Sequence, residues 1–192
     1  QPLVMIRRAE PDCDHVRIDN SGAAAKAASL FVRNGLTRLG LVGSDSGTPS
    51  IVERERAFIG EAQRLGARVS IARGTDTDYA GGQEAAGTLL GSPERPEAIF
   101  CVNDLLAFGV IDAARGRFGL TVPSDLAVIG FDDIPEASWD AYRLTTFRQD
   151  PAEIARHAIE QLERRLASPQ AAPSIVQLAP TFIPRDSAPF KE

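Results

Sequence analysis

The chain has 192 residues, of which 43% are hydrophobic and 24% are charged, proportions that are ordinary for a folded globular protein. This length allows one large domain or two small ones, with a proper core. The formal net charge is −5, and the 21 basic residues are spread along the chain in nothing larger than pairs. Composition and charge therefore argue against a membrane span and against nucleic-acid binding by this chain itself.

Short apolar runs alternate with amphipathic helical patterns along most of the chain. The runs that predict strands cover residues 3–6, 16–18, 39–42, 67–72, 98–102, 126–133, 144–147 and 174–183. Helix starts are indicated by Asn20 or Ser21 as a cap, and by Thr48 as a cap before Pro49 at the first helical position. This regular alternation predicts a doubly wound parallel α/β fold.

The run at 126–133 ends on two adjacent carboxylates, Asp132 and Asp133. In a parallel sheet, the turns after the strands meet at one edge, where open α/β folds bind their ligands. The polar groups brought to that edge are Asp19, the loop 44–47, Asp76, Asn103 with Asp104, and Asp132 with Asp133. Arg54, early in a helix that enters from this edge, completes a set suited to a polyhydroxylated ligand. Tyr79 and Trp139 can stack on a sugar ring or can equally pack within the protein.

Several of these residues also have a purely structural interpretation. Asp and Asn in strand-to-helix turns commonly cap helices. We favour capping for Asp104 and leave both roles open for Asp133. Asn103 and Asp132 directly follow fully apolar strands, and for them we favour a functional role. Arg54 has charged neighbours on its helix, so the local pattern alone predicts a solvated helix face.

Signatures of catalysis and of metal binding are weak. His15, in a predicted loop, and His157, on the last helix, lack metal-ligand spacing, and we interpret both as structural or surface residues. The loop 43–47 resembles a nucleophile elbow only superficially, because its middle residue is Asp45. The sequence Asp-Thr-Asp at 76–78 is a faint aspartyl-phosphatase pattern that does not directly follow an apolar strand. We therefore expect no catalytic residue, no metal ion and no cofactor.

Six stretches together resemble the lactose-repressor/purine-repressor family of bacterial transcription regulators. They are Ile-Asp-Asn at 18–20, Arg-Glu-Arg-Ala-Phe at 54–58, Ala-Ile-Phe-Cys-Val-Asn-Asp at 98–104, Gly-Leu-Thr-Val-Pro at 119–123, Val-Ile-Gly-Phe-Asp-Asp at 128–133 and Leu-Thr-Thr-Phe-Arg-Gln at 144–149. The Asn-Asp, Gly-Phe-Asp-Asp and Leu-Thr-Thr motifs are specific in combination, and their order and spacing match the effector-binding domain of that family.

The resemblance implies a periplasmic-binding-protein-like fold, in which two doubly wound parallel-sheet subdomains enclose the effector. By resemblance, residues 1–43 belong to the N-terminal subdomain, 44–144 to the C-terminal subdomain, and 145–192 to a crossover helix and return strands of the N-terminal subdomain. The chain begins on a predicted strand without an initiator Met. We therefore expect a fragment whose N-terminal subdomain is incomplete and which lacks the family's helix-turn-helix.

Family effector contacts map onto Asp19, Arg54, Asn103, Asp132 and Gln149, with Tyr79 and Trp139 as weaker candidates. The resemblance thus implies a cytoplasmic, dimeric regulator that binds a small polar effector, which we expect to be a sugar, without transforming it. Operator DNA would be bound only through the absent helix-turn-helix. Two alternatives are a periplasmic sugar-binding receptor of a transporter, and a phosphatase or hydrolase that uses Asp76 or the acids at 132–133.

Overall fold

A computed structural model describes residues 3–6 and 13–190 of the chain. Its strands are β1 (Val4–Ile6), β2 (Asp14–Ile18), β3 (Arg38–Ser44), β4 (Arg68–Gly74), β5 (Ala98–Cys101), β6 (Ala127–Ile129), β7 (Thr146–Arg148), β8 (Ile175–Leu178) and β9 (Thr181–Ile183). Its helices are α1 (Asn20–Arg33), α2 (Pro49–Arg64), α3 (Tyr79–Leu90), α4 (Asp104–Phe118) and α5 (Pro151–Ala167), with a short 3-10 helix at Pro135–Ser138. Within these two stretches, no helix combines the length and apolarity that a bilayer span needs.

The larger sheet has the strand order β4-β3-β5-β6, and all of its strands are parallel. Strand β5 is buried along its whole length, as its unbroken apolar sequence predicts. Helix α1 packs against α2, and α3 packs against α4. In the core, Phe58 of α2 stacks on Phe100 of β5 with 5.1 Å between ring centroids. The predicted doubly wound parallel α/β fold is confirmed.

The smaller sheet has the order β1-β2-β8, again with parallel strands, and α5 packs on β1 and β2. A third, two-stranded sheet pairs β7 with β9 in antiparallel fashion. It adjoins the larger sheet through a bridge between Ile129 and Thr145. The chain therefore passes between the two parallel sheets three times: after β2, after β7 and after β8.

The structure divides the chain differently from the predicted segments 1–43, 44–144 and 145–192. Helix α1 and most of β3 precede residue 44 but lie with the larger sheet, because the buried alanines of α1 pack against α2. At the other end, β9 pairs with β7, and the Ser187 hydroxyl donates to the carbonyl of Val128 at 2.7 Å. The smaller unit thus contains only β1, β2, α5 and β8 among the described elements.

Two helix caps differ from the prediction by one residue. Asp19, rather than Asn20 or Ser21, caps α1, since its carboxylate accepts the Gly22 N–H at 2.9 Å. Asn103, rather than Asp104, caps α4 through the Leu106 N–H, also at 2.9 Å. In both places the capping residue lies in the turn after the strand, and its successor becomes the first helical residue.

Two smaller predictions, for His15 and for the strand at 126–133, differ from the structure, and a third, for the start of α2, agrees with it. His15 lies buried within β2 and not in a loop. The strand predicted at 126–133 is only three residues long, and farther along the same stretch the backbone takes positive φ angles at Asp132 (120°) and Asp133 (57°). Thr48 does precede Pro49 at the start of α2, although its side chain makes no capping bond.

The Asp14 carboxylate of β2 forms ion pairs with two arginines of α5 and so connects this helix to the smaller sheet. This carboxylate accepts from Arg164 at 2.5 Å, from Arg165 at 2.6 Å and from the Ser174 N–H at 2.8 Å. The hydrogen bond from Arg165, opposed by burial and aided by Ser174, lowers the pKa of Asp14 to about 2. Because the pKa is lower in the folded protein, the Asp14 carboxylate stabilises the fold at pH values above 3.8, its pKa in the unfolded chain. This contribution is lost as the pH falls towards 2.

Asp14→Asn is therefore expected to lower the free energy of unfolding by about 3 kcal/mol near neutral pH, because two arginines lose a buried partner. The difference from wild type should shrink as pH falls from about 4 towards 2. Urea denaturation at several pH values measures both effects. Glu160→Gln, which breaks the exposed pair with Arg156, is the matched control and should change stability by less than about 0.5 kcal/mol. Equal stability of Asp14→Asn and wild type at neutral pH would contradict the assignment.

Candidate ligand-binding site

A cavity of about 830 Å³ lies between the carboxyl ends of the two parallel sheets. The smaller sheet, with the residues just after it, supplies one side through Ile6, Arg17, Ile18 and Asn20. The start of α2 and the turns after β4, β5, β6 and β7 supply the rest: Thr48, Pro49, Ser50, Ile51, Glu53, Arg54, Thr77, Val102, Asn103, Asp132 and Gln149. The carboxyl ends of the strands therefore meet at one cavity, which is where open α/β folds bind their ligands.

Arg54 is a buried part of the cavity wall, with only 4% of its surface exposed. Its Nε donates to Asn20 Oδ1 at 2.9 Å, and its Nη1 donates to the Val102 carbonyl at 2.6 Å. The guanidinium carbon lies 3.5 Å from the ring centroid of Phe131, a cation–π arrangement. The solvated-face interpretation of Arg54 is therefore wrong, because the helix presents this residue to the cavity and not to bulk solvent.

Asp132 lies opposite, with its Oδ1 3.7 Å from Arg54 Nη1. The same oxygen accepts a short hydrogen bond from the amide of Gln149. The backbone N–H of Asp132 donates to the Phe147 carbonyl at 2.9 Å. A φ of 120° is unfavourable for any residue with a Cβ, so the surrounding structure holds Asp132 in a strained conformation, as is common at binding sites.

Asn103 lines the cavity while serving the fold. Its Oδ1 caps α4, and its Nδ2 donates to the Thr77 carbonyl at 2.7 Å, which joins the turns after β5 and β4. The structure thus brings Arg54, Asn103, Asp132 and Gln149 to one cavity.

Three other predicted contacts lie outside the cavity lining. Asp19 caps α1. The Tyr79 hydroxyl donates to Asp112 at 2.8 Å, on the surface between α3 and α4. Trp139 ends the 3-10 helix with 55% of its surface exposed. Tyr79 and Trp139 were the weaker candidates, proposed to stack on a ligand. In the structure, Tyr79 makes a surface hydrogen bond and Trp139 has an exposed ring.

Asn20 and Glu53 are two of the wall residues that sequence reasoning missed, and they bond to each other. Asn20 accepts from Arg54 and donates through Nδ2 to Glu53 Oε2 at 2.9 Å, so it links the guanidinium to a second carboxylate. The available signal was the adjacent Asp19-Asn20 pair at the end of β2. Either residue type can cap a helix, so the pattern did not show which of the two caps and which faces the cavity.

Asp133 lies behind the cavity and not in its lining. Its carboxylate pairs with Arg148 Nε and with Arg185 Nη2, both at 2.6 Å. It caps no described helix. The two adjacent acids therefore have different partners: Asp132 contacts Arg54 and Gln149 at the cavity, and Asp133 contacts two arginines beneath it.

The charges of the lining residues are balanced, since the lining contains Arg17 and Arg54 together with Glu53 and Asp132. No aromatic side chain is present among the described residues that line the cavity. Balanced charge with many donors and acceptors suits a neutral, hydroxyl-rich ligand more than an ion or a planar base. Among residues 3–6 and 13–190, no cluster of three or more His, Cys, Asp or Glu side chains could hold a metal ion.

The model of the family described as a periplasmic binding protein-like domain matches residues 28–188. The chain is 35% identical over 163 residues to the HTH-type transcriptional repressor CytR of Escherichia coli (strain K12), which covers 82% of this chain and 47% of that protein. It is 41% identical over 113 residues to the ribose operon repressor of the same strain, which covers 59% and 34%. The chain therefore spans about half the length of these curated relatives, or less.

A solved structure extends the similarity to three dimensions. The LacI family transcriptional regulator from Arthrobacter sp. FB24, in complex with lactose, superposes with a TM-score of 0.85 at 27% identity. The match covers 97% of this chain and 71% of that chain. The similarity in three dimensions therefore extends over nearly all of this chain.

Proposed function

We propose that this chain, which belongs to the periplasmic binding protein-like domain family, is the effector-binding domain of a bacterial transcription regulator. The observation that carries the proposal is the cavity between two parallel sheets, whose wall places Arg54 within 3.7 Å of Asp132. Opposite charges at this distance present donors and acceptors side by side, which is the arrangement that vicinal hydroxyls need. The repressor relatives support a regulatory use of this site.

The effector is a neutral sugar in this proposal. The balanced charges of the lining and the absence of an aromatic platform among its described residues support this ligand class. The similar Arthrobacter regulator was solved with lactose, and one relative is named as the ribose operon repressor. Each hydroxyl that the ligand failed to supply would leave a polar group of the wall unpaired, so the site would select among sugars by stereochemistry.

Regulation would follow from closure of the two sheets around the sugar. A ligand shifts a conformational equilibrium only if it binds one state better than the other. Asn20 and Gln149 lie at two of the three crossings between the sheets, and both make hydrogen bonds to the charged wall. A sugar held between these residues would therefore favour the closed arrangement. In the full regulator we propose a cytoplasmic homodimer that binds operator DNA through a separate helix-turn-helix and has no enzymatic activity.

A thermal-shift screen tests the proposal, with neutral sugars, sugar phosphates and purine nucleosides as three arms. At least one neutral sugar is expected to raise the melting temperature by about 5–10 °C at one hundred times its dissociation constant. Sugar phosphates should have smaller effects, because the lining carries no excess positive charge. If no sugar shifts the melting temperature, or if purines alone do, the proposed effector class is wrong.

The phosphatase alternative would give a different result in a simple hydrolysis assay. Asp76 lies in the exposed turn after β4 and, unlike its neighbour Thr77, does not line the cavity. We expect no magnesium-dependent hydrolysis of p-nitrophenyl phosphate. Turnover that disappears in Asp76→Ala would contradict the regulatory proposal in favour of a phosphatase.

A further inference from the structure

Asp104 is a fully buried carboxyl group that capping does not use. Asn103 caps α4, which leaves Asp104 at the first helical position with its side chain turned into the protein. A buried carboxyl group is stable only when its oxygens find hydrogen-bond donors. The identity of those donors therefore shows what the group holds together.

Each oxygen of Asp104 accepts a bond from a different segment. Oδ1 accepts from the Thr146 hydroxyl of β7 at 2.6 Å, and Oδ2 accepts from the backbone N–H of Ile134 at 3.0 Å. Ile134 follows the turn that carries Asp132, and Thr146 lies on the strand that leads to Gln149. Asp104 thus links the same two segments that the contact between Asp132 and Gln149 links at the cavity.

The fit around Asp104 is tight at Gly130. A Cβ at residue 130 would lie 2.3 Å from Asp104 Oδ1, which is far inside van der Waals contact. The carboxylate therefore packs directly on the backbone two residues before Asp132. Because Asp132 has a strained φ of 120°, its conformation depends on restraints supplied by neighbouring groups, and Asp104 supplies one of them.

We propose that Asp104 is a positioning residue of the ligand site, which sets the spacing between the turn that carries Asp132 and the strand that leads to Gln149. This inference rests on the proposed sugar site and assigns no contact between Asp104 and the sugar. Loss of the bridge allows the Asp132 turn to relax, and the wall then presents its carboxylate and amide in the wrong register.

Protonation of Asp104 makes the proposed positioning role depend on pH, which a purely structural role would not predict. Burial raises the pKa of Asp104 to about 7, against the bonds from Thr146 and Ile134 and with the added repulsion of Asp132 and Asp133. The buried thiol of Cys101 also faces this carboxyl group, and burial keeps its pKa well above the ordinary value. The protonated form has one good acceptor for two donors, so the bridge is complete only above about pH 7.

The experiment compares Asp104→Asn, Thr146→Val and Thr146→Ser in the ligand-free protein near pH 8. Asn offers one acceptor in place of two, Val removes the donor and Ser retains it. Amide hydrogen exchange at Asp132 and Ile134 should be faster by at least about tenfold in the first two variants and close to wild type in Thr146→Ser. The Val102 amide, which donates to Val42 in the larger sheet, is the internal control. Equal acceleration at all amides, or none at Asp132, would overturn the proposal.

The second arm is calorimetric titration with D-ribose and, separately, with lactose. Affinity should fall by at least about tenfold in Asp104→Asn and Thr146→Val at pH 8. Wild-type affinity should weaken below about pH 7, whereas Asp104→Asn should show no such step. If wild type binds neither sugar, the sugar class of the proposed function fails for these probes, and the exchange data still decide whether Asp104 holds the Asp132 turn.

Discussion

Arg54→Ala is expected to abolish the thermal stabilisation that a sugar gives to the wild-type domain. The guanidinium contacts Asn20, the Val102 carbonyl and Asp132, so it joins three parts of the cavity wall. Hydrogen bonds from a charged donor contribute about 1.5–3 kcal/mol each. Loss of the hydrogen bonds that Arg54 makes to a bound sugar should weaken the affinity for that sugar by at least about one hundredfold, or roughly 2.7 kcal/mol. Isothermal titration calorimetry measures this directly.

Two further variants make the Arg54 result specific. Arg54→Lys keeps the charge but has a single donor centre, which cannot reach both Asn20 and the Val102 carbonyl, so it should rescue little of the affinity. Arg56→Ala removes an exposed arginine from the same helix and should leave binding unchanged. Full affinity in Arg54→Ala, or an equal loss in Arg56→Ala, would show that the ligand binds elsewhere.

Asp132 and Asp133 are expected to separate affinity from stability, although they are adjacent in the chain. The Asp132 side chain is 30% exposed at the cavity, whereas that of Asp133 is 5% exposed between two arginines. Asp132→Gly should lose at least about one hundredfold in sugar affinity. Its folding stability should change by less than about 1 kcal/mol, because relief of the strain at a φ of 120° offsets the lost contacts with Arg54 and Gln149.

Asp133→Ala should show the opposite pattern. It leaves Arg185, which is only 13% exposed, without its carboxylate, and breaking such a pair costs about 3 kcal/mol of folding stability. Sugar affinity of the folded protein should fall by less than about tenfold, since Asp133 does not line the cavity. Urea denaturation and calorimetry on both variants provide the comparison. An equal loss of affinity in Asp133→Ala and Asp132→Gly would contradict this division of roles.

The elements of the larger sheet could be predicted from sequence because their signals are local. An apolar run such as 98–102 indicates a strand buried on both faces wherever it occurs. The packing of α1 and of the β7–β9 pair beside the larger sheet could not be predicted in this way. It depends on pairing between segments far apart in the chain, such as β7 with β9, and no single stretch contains that information.

The candidate site was predictable to the extent that its residues follow strands. Asn103 and Asp132 directly follow fully apolar runs, and the strand-end rule places them at the cavity. The position of Arg54 near the start of a helix only suggested a role at the cavity, because its charged neighbours mimic a solvated helix face, and the family resemblance then favoured it as an effector contact. Asn20 was missed because Asp and Asn have the same capping chemistry, and the structure alone shows that Asp19 takes the cap.

The parallel pairing of β2 with β8 has a consequence for how the protein folds. Arg17 and Gln177 pair across this ladder, and 160 residues separate them in the chain. During synthesis, β2 is made about 160 residues before β8, and the larger sheet can form in the interval. Long-range pairing of this kind slows folding and leaves an open strand edge in the partly made chain. Pairing at this edge of β2 therefore requires synthesis through β8, and truncation before Ile175 would leave the edge without that partner strand.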